Sequence, residues 1–482
     1  MQRELDRDLA SLQETRALVR RARVAAEALA CLEPSDAWRI AMQVCKACED
    51  RAEHYARLAV EETGIGRVQD KVFKNLLASR DLMAFHRNSR LGGVHVDAPN
   101  RMVLVGRPAG VVMGLVASTS PIGTLYFKVL SCLMTRNAII LSPHPLAQRC
   151  SVDAAEYLRE VAAEAGAPED AIQVQHEPTL DATHAMMRDP NVDVILATGG
   201  GPMVRAAYSS GNPALGVGPG NVPVYVDRSA DLRLAVSELV KAKTFDYGSA
   251  CSTPSVVFVH AEVEEQFRAL LQDAGGLFCD AAQQRALEEY AFPGGRLNPQ
   301  IVGRSATAIA SASWLGPIHG AQVLVGRLEE VTRKAPMAKE KLSTILGYKR
   351  VESREHAIRD ARAMLAISGA GHTSGIFAED LETTVMWGAA LDVNRTVVNK
   401  GTSMGVIGDG TALAPTFTIG TGFAGRSSIG ENVGPEHLIN WKKIAFPTEP
   451  RPPAPAPNGE IDVRAAIRAV LASALERQGL EA

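Results

Sequence analysis

The stretch GVVMGLVASTSPIGTLYFKVLSCLMTRNAIILS, residues 110–142, decides the fold. Two runs of Val, Ile, Leu and Met flank a segment with the periodicity of a buried helix near 125–134, which is the strand, helix, strand signature of a parallel βαβ unit. Working outward, a helix is predicted over 151–165 and a third apolar run, DVILATG, over 193–199. Parallel strands buried on both faces read as continuous apolar runs. These do, so a doubly wound sheet with a nucleotide at its carboxyl edge is expected. A second α/β unit starts at NVPVYVD (221–227) and the helix 231–245, and includes SVVFVH (255–260), AQVLVG (321–326) and STILGYK (343–349).

Upstream, residues 6–85 read as successive helices, with Leu58, Val60, Val72, Leu76 and Leu77 as the apolar positions. VHVDA (94–98) and RMVLVGRP (101–108) around Pro99 and Asn100 predict a hairpin arm. Downstream, PTEPRPPAPAPNGE (447–460) reads as a stiff linker. Val463, Ile467, Val470, Leu471, Ala474 and Leu475 then fall on one face of a helix over 461–478.

Composition narrows the function. Lys+Arg of 51 against Asp+Glu of 54 in 482 residues leaves a formal charge of −3, without the basic surplus that nucleic acid requires. A hydrophobic fraction of 46% and a charged fraction of 22% are those of a globular chain. No apolar run approaches a membrane span, and MQRELDRDLA has no secretory leader, so a cytoplasmic protein is expected. The seven cysteines suit a reducing compartment. Cys45 and Cys48 form a CxxC with no second pair or His cluster, so no metal site is expected.

Two segments carry chemistry. Cys251 in FDYGSACSTPS (245–255) sits among small residues that admit a second molecule. By itself this reads more readily as a buried, inert thiol than as a nucleophile, because free Cys is among the most buried residue types. ATGGGPMVRAAYSSGNPALGVGPGNVP (197–223) places seven glycines within 22 positions, either tight turns or backbone contact with a flat cofactor.

These two segments, with KEKLSTILG (339–347), GHTSG (371–375) and PTFTIGTGFAGRSSIGENVGPEHLIN (415–440), in this order, strongly resemble the CoA-acylating branch of the aldehyde dehydrogenase superfamily. The resemblance covers about residues 10–445. It implies an aldehyde dehydrogenase-like α/β fold divided into an NAD/CoA-binding domain (1–222, arm 92–108), a catalytic domain carrying Cys251 (223–420) and a return and oligomerisation segment (421–446). It further implies a short-chain aldehyde as substrate, NAD and coenzyme A as cosubstrates, a homodimer or homotetramer joined through the arms, and an acyl thioester on Cys251.

The roles it implies for other residues follow one by one. Thr119 in ASTSP stands where hydrolytic relatives carry an oxyanion-binding Asn. Val217 in GVGPGN replaces the glutamate that activates water. Glu340 takes the place of the nicotinamide-ribose carboxylate. Ser142 replaces a Lys that grips the adenosine ribose, which suits a pocket shared in turn by NADH and CoA. Gly199 and Gly200 lie along the dinucleotide, His372 either contacts CoA or the thioester or is structural between two glycine-rich turns, and Arg426 is a candidate for the substrate channel. The tail resembles the peptides that direct enzymes into bacterial microcompartments, and it also reads as a helix that docks on a neighbouring subunit. The rival functions are a hydrolytic aldehyde dehydrogenase and a non-catalytic cargo or scaffold protein that keeps the fold.

Overall fold

The computed structural model describes residues 6–316, 318 and 320–447. The linker and helix expected over 447–478 therefore lie, apart from Pro447, outside the described residues.

Helices Arg7–Ala30, Pro34–Asp50, Ala52–Thr63 and Val68–Leu76 open the chain, the last continuing through a π-helical turn, Leu77–Asp81, into Leu82–His86. On the first two, large apolar residues such as Leu18, Leu29, Ile40 and Val44 are buried, and Leu77 in the π-helical turn is buried as read, but the third and fourth helices differ. On Ala52–Thr63 the small side chains Ala52, Ala56 and Ala59 are buried beside Tyr55, and Leu58 and Val60 are half-buried. On Val68–Leu76 the buried residues are Lys71, Lys74 and Asn75, while Val72 and Leu76 are half-buried. The lysines turn inward because a buried carboxylate, described below, awaits them.

The first parallel sheet has, in spatial order, strands Ile172–Val174, Ala138–Pro143, Val111–Val116, Val194–Ala197 and Ala214–Gly216. The three central strands are buried at every position, as their unbroken apolar runs require. The chain starts in the middle, winds out one way, then returns to the other side of Val111–Val116, which puts the topological switch beside that strand. The helices between strands run Pro121–Met134 and Gln148–Glu164, each beginning about a turn earlier than the sequence pattern suggested. Pro121 explains the first: it occupies the opening turn, where a missing N–H costs nothing.

The second parallel sheet has strands Gly276–Phe278, Val323–Arg327, Ile345–Val351, Pro254–His260, Val222–Val226, Ser374–Phe377 and Thr396–Val398 in spatial order. Both sheets belong to one compact unit, residues 1–93 and 106–440. Among the described residues, a second, small unit is formed by 94–105 with 441–447. Its three-stranded sheet, in the order Gly93–Asp97, Met102–Pro108, Ile439–Ala445, leaves Val94, Val96 and Ile444 exposed. Among the described residues no helix is long and apolar enough to cross a membrane, and no group of His, Cys, Asp and Glu could hold a metal.

Candidate active site

Cys251 lies in the turn that leads into strand Pro254–His260, at the amino edge of the second sheet. It is half-buried and lines a small, mostly apolar cavity of about 80 Å³. Thr119 and Thr198, from the carboxyl edge of the first sheet, also line it, with Phe245, Val217, Ile407 and Phe417 as apolar lining. Thr119 thus shares the cavity with the sulfur, as an oxyanion donor must. Val217 is buried, and no Asp, Glu or His is among the residues lining this cavity.

The GVGPGN loop is pressed onto the nucleophile turn. A Cβ on Gly220 would stand 1.8 Å from the Cys251 carbonyl oxygen, so only glycine lets these backbones meet. From the same residue the backbone N–H donates to Glu340 Oε1 at 3.1 Å, which fastens the half-buried Glu340 beside Cys251. Burial pushes the Glu340 carboxyl up to about 8, against the pull of the Gly220 N–H and the cations of Lys341 and Lys243. Burial, then the Glu340 charge, push the Cys251 thiol up to about 12, opposed by its own backbone N–H, Lys74 and Arg395.

A second cavity, of about 340 Å³, opens at the carboxyl edge of the first sheet next to the topological switch. Ser142, Thr183, Gly199, Gly200 and Met203 are among its lining residues. Ser142 is buried, with its hydroxyl 3.4 Å from that of Thr183. Helix Gly201–Tyr208 begins here with Gly200 as N-cap and no side-chain cap, and a Cβ on Gly199 or Gly200 would find nothing nearer than 3.9 Å. Uncapped N–H groups beside open space suit a pyrophosphate, so this chain's residues fit a dinucleotide.

His372 is fully buried in front of strand Ser374–Phe377. Its Nδ1 hydrogen-bonds the Thr373 hydroxyl at 3.0 Å, its Nε2 has no partner, and burial with the nearby Arg395 charge lowers it to about 3, so the ring is neutral. It is not among the residues lining the Cys251 cavity. Arg426 is exposed and is not among the residues lining either cavity.

The sequence reading missed a charged cluster against the nucleophile turn. Asp246 is fully buried, and its Oδ2 accepts from Lys74 Nζ at 2.6 Å, Lys71 Nζ at 3.0 Å and Ser249 Oγ at 2.8 Å. Lys71 also donates to the Thr119 carbonyl at 2.9 Å. The signal was present in DKVFKN (70–75), where two lysines three apart share a helical face.

Comparison with known proteins agrees with this architecture. The aldehyde dehydrogenase family profile matches residues 6–409. The chain is 39% identical over 397 residues to an aldehyde-alcohol dehydrogenase of Streptococcus pneumoniae, covering 80% of this chain and 45% of that protein. It therefore spans about half the length of such curated relatives. To the succinate-semialdehyde dehydrogenase (acetylating) of Clostridium kluyveri it is 32% identical, covering 89% of this chain and 95% of the other. The crystal structure of an acetylating aldehyde dehydrogenase from Geobacillus thermoglucosidasius superposes with a TM-score of 0.90 at 38% identity, covering 93% of this chain and all of that one. With its profile matched over residues 6–409 and relatives of this identity along most of its length, the chain belongs to the aldehyde dehydrogenase family.

Proposed function

We propose that the chain oxidises a short-chain aldehyde with NAD and coenzyme A to acyl-CoA and NADH, reversibly, through a thioester on Cys251. One observation carries this: the cavity around the sulfur is lined by a nucleophile, hydroxyl donors and the Asp246-paired Lys74, with no Asp, Glu or His to activate water. The Cys251 thiolate adds to the aldehyde carbonyl. The Thr119 hydroxyl and the Cys251 backbone N–H hold the resulting oxyanion, which collapses to the thioester as hydride leaves. The residues lining the 340 Å³ cavity would hold the dinucleotide, with Glu340 as a candidate acceptor for ribose hydroxyls, and NAD would supply the hydride acceptor. Val217, standing where a carboxylate would be needed, leaves the thioester without base-assisted hydrolysis. A thiol is a few per cent ionised at neutral pH and intrinsically reactive, so coenzyme A takes the acyl group where water cannot. The small apolar cavity favours a short aliphatic aldehyde.

A panel of aldehydes, each with and without CoA, tests the reading. NADH should form steadily only with CoA and fall off as the chain lengthens. Steady turnover without CoA would favour the hydrolytic alternative.

The sequence of the tail supports a further part of the reading: a Pro-rich stretch followed by an amphipathic pattern suits targeting to a bacterial microcompartment shell. Deleting 447–482 should leave turnover intact and abolish co-sedimentation with shells; unchanged co-sedimentation would end the idea.

A further inference from the structure

Asp246 and its two lysines sit between the two halves of the proposed site. Asp246 precedes Cys251 by five residues, with two successive left-handed residues, Asp246 at φ 49° and Tyr247 at φ 50°, turning its carboxylate inward. Gly66 makes room for it, since a Cβ there would lie 1.8 Å from Asp246 Oδ1. The carboxylate also accepts from the Arg67 backbone N–H at 2.8 Å. Lys71 ties it to the Thr119 loop, and Lys74 reaches the cavity that holds Cys251. Both lysines are about 3% exposed. Two ammonium groups facing one carboxylate leave one positive charge in a place with little water to screen it.

We propose that Lys71, Lys74 and Asp246 form an electrostatic seat for the anionic states of Cys251, with Lys74 as the positioning residue that favours the thiolate over the thiol. The other charges facing the sulfur are Glu340, which works against the thiolate, and Arg395, which works with it. Arg395 gives Nη2 to the Gly420 and Gly430 carbonyls and has no partner at Nη1, but it is not among the residues lining the cavity. That leaves Lys74 as the cation on the cavity wall itself. The thiol proton leaves to solvent, and the seat holds the charge that remains. The same field stabilises the oxyanion formed over Thr119. This inference deepens the acylating reading and depends on it only for that last consequence.

The test needs neither aldehyde nor cofactor. Cys251 in the full-length protein is alkylated with iodoacetamide at several pH values. The rate is read by mass spectrometry of the peptide, with exposed Cys31 as internal reference. Lys74→Met should slow alkylation of Cys251 roughly tenfold at fixed neutral pH, leaving Cys31 unchanged, and Lys74→Arg should restore most of the rate. Asp246→Asn, which adds a net positive charge, should accelerate alkylation. A merely structural cluster would make both Met and Asn variants slow, and that result, or a Lys74→Met variant indistinguishable from the parent, overturns the proposal. Should Asp246→Asn fail to fold, the Met and Arg variants decide, with melting temperatures showing that both are native. If alkylation follows charge as stated but CoA-dependent turnover is absent, the acylating reading falls and the electrostatic seat stands.

Discussion

The two cavities meet at opposite kinds of sheet edge and are made of different material. The dinucleotide cleft lies at the carboxyl edge of the first sheet and is shaped by backbone, glycines and the start of a helix. The cysteine cavity lies at the amino edge of the second sheet, where Gly220, Cys251, Glu340, His372 and Arg395 each come just before a strand. Its properties come from side chains and buried charge. A cleft made of backbone follows from topology and tolerates side-chain change. A nucleophile pocket assembled from distant loops depends on each residue that enters it.

Substitutions can break or sharpen that contrast. The largest effect is expected from Cys251→Ala, which should lower turnover by at least about a thousandfold while NADH binding, followed by fluorescence, stays within about twofold. Loss of both together would mean that the cavities are not separable. Val217→Glu places a carboxylate against the thioester. It should raise acid formation without CoA by roughly ten- to a hundredfold, with a stability cost of about 1–3 kcal/mol for the buried charge. Chromatographic assay of the acid and a melting curve check both halves.

Glu340→Gln should raise the KM for NAD by weakening an acceptor for the ribose hydroxyls, most strongly above pH 8, where the carboxyl is charged. Its stability effect has a definite sign. Because the folded carboxyl titrates near 8 rather than its ordinary 4.5, the folded state holds an extra proton between those values, so Glu340 costs stability as pH rises through that window. The Gln variant should therefore melt higher than the parent at pH 9 and equally at pH 4. The smallest effect is expected at the tolerant cleft: Ser142→Lys should tighten NADH a few-fold and slow its release, measured by stopped-flow fluorescence, with acylation of Cys251 unchanged.

The same contrast explains what the sequence made legible. The strands around Val112, Ile140 and Ile195 are unbroken apolar runs because both faces are covered, and that pattern alone places the first sheet and its cleft. Cys251 by itself was ambiguous; several motifs in register, which link it to Gly220 and Glu340, gave it a role. Lys71, Lys74 and Asp246 went unread because a lysine in a helix ordinarily signals solvent, and the partner that draws them inside lies more than 170 residues away. The face of Val68–Leu76 was misjudged for the same reason: hydrophobicity placed Val72 and Leu76 inside, but buried ion pairing took that position. In the left-handed turn Asp246, Tyr247, Gly248 only the third residue is a glycine, so nothing in the sequence announces the first two.

The central claim is that an acyl group on Cys251 can be passed to a thiol but not to water. Mixing the protein with aldehyde and NAD in the absence of CoA tests it directly, by following NADH and the mass of the Cys251 peptide together. The account predicts a burst of about one NADH per site, a stable acyl adduct on Cys251, and steady turnover only once CoA is added. Continuous NADH production with free carboxylic acid and an unmodified Cys251 would contradict it.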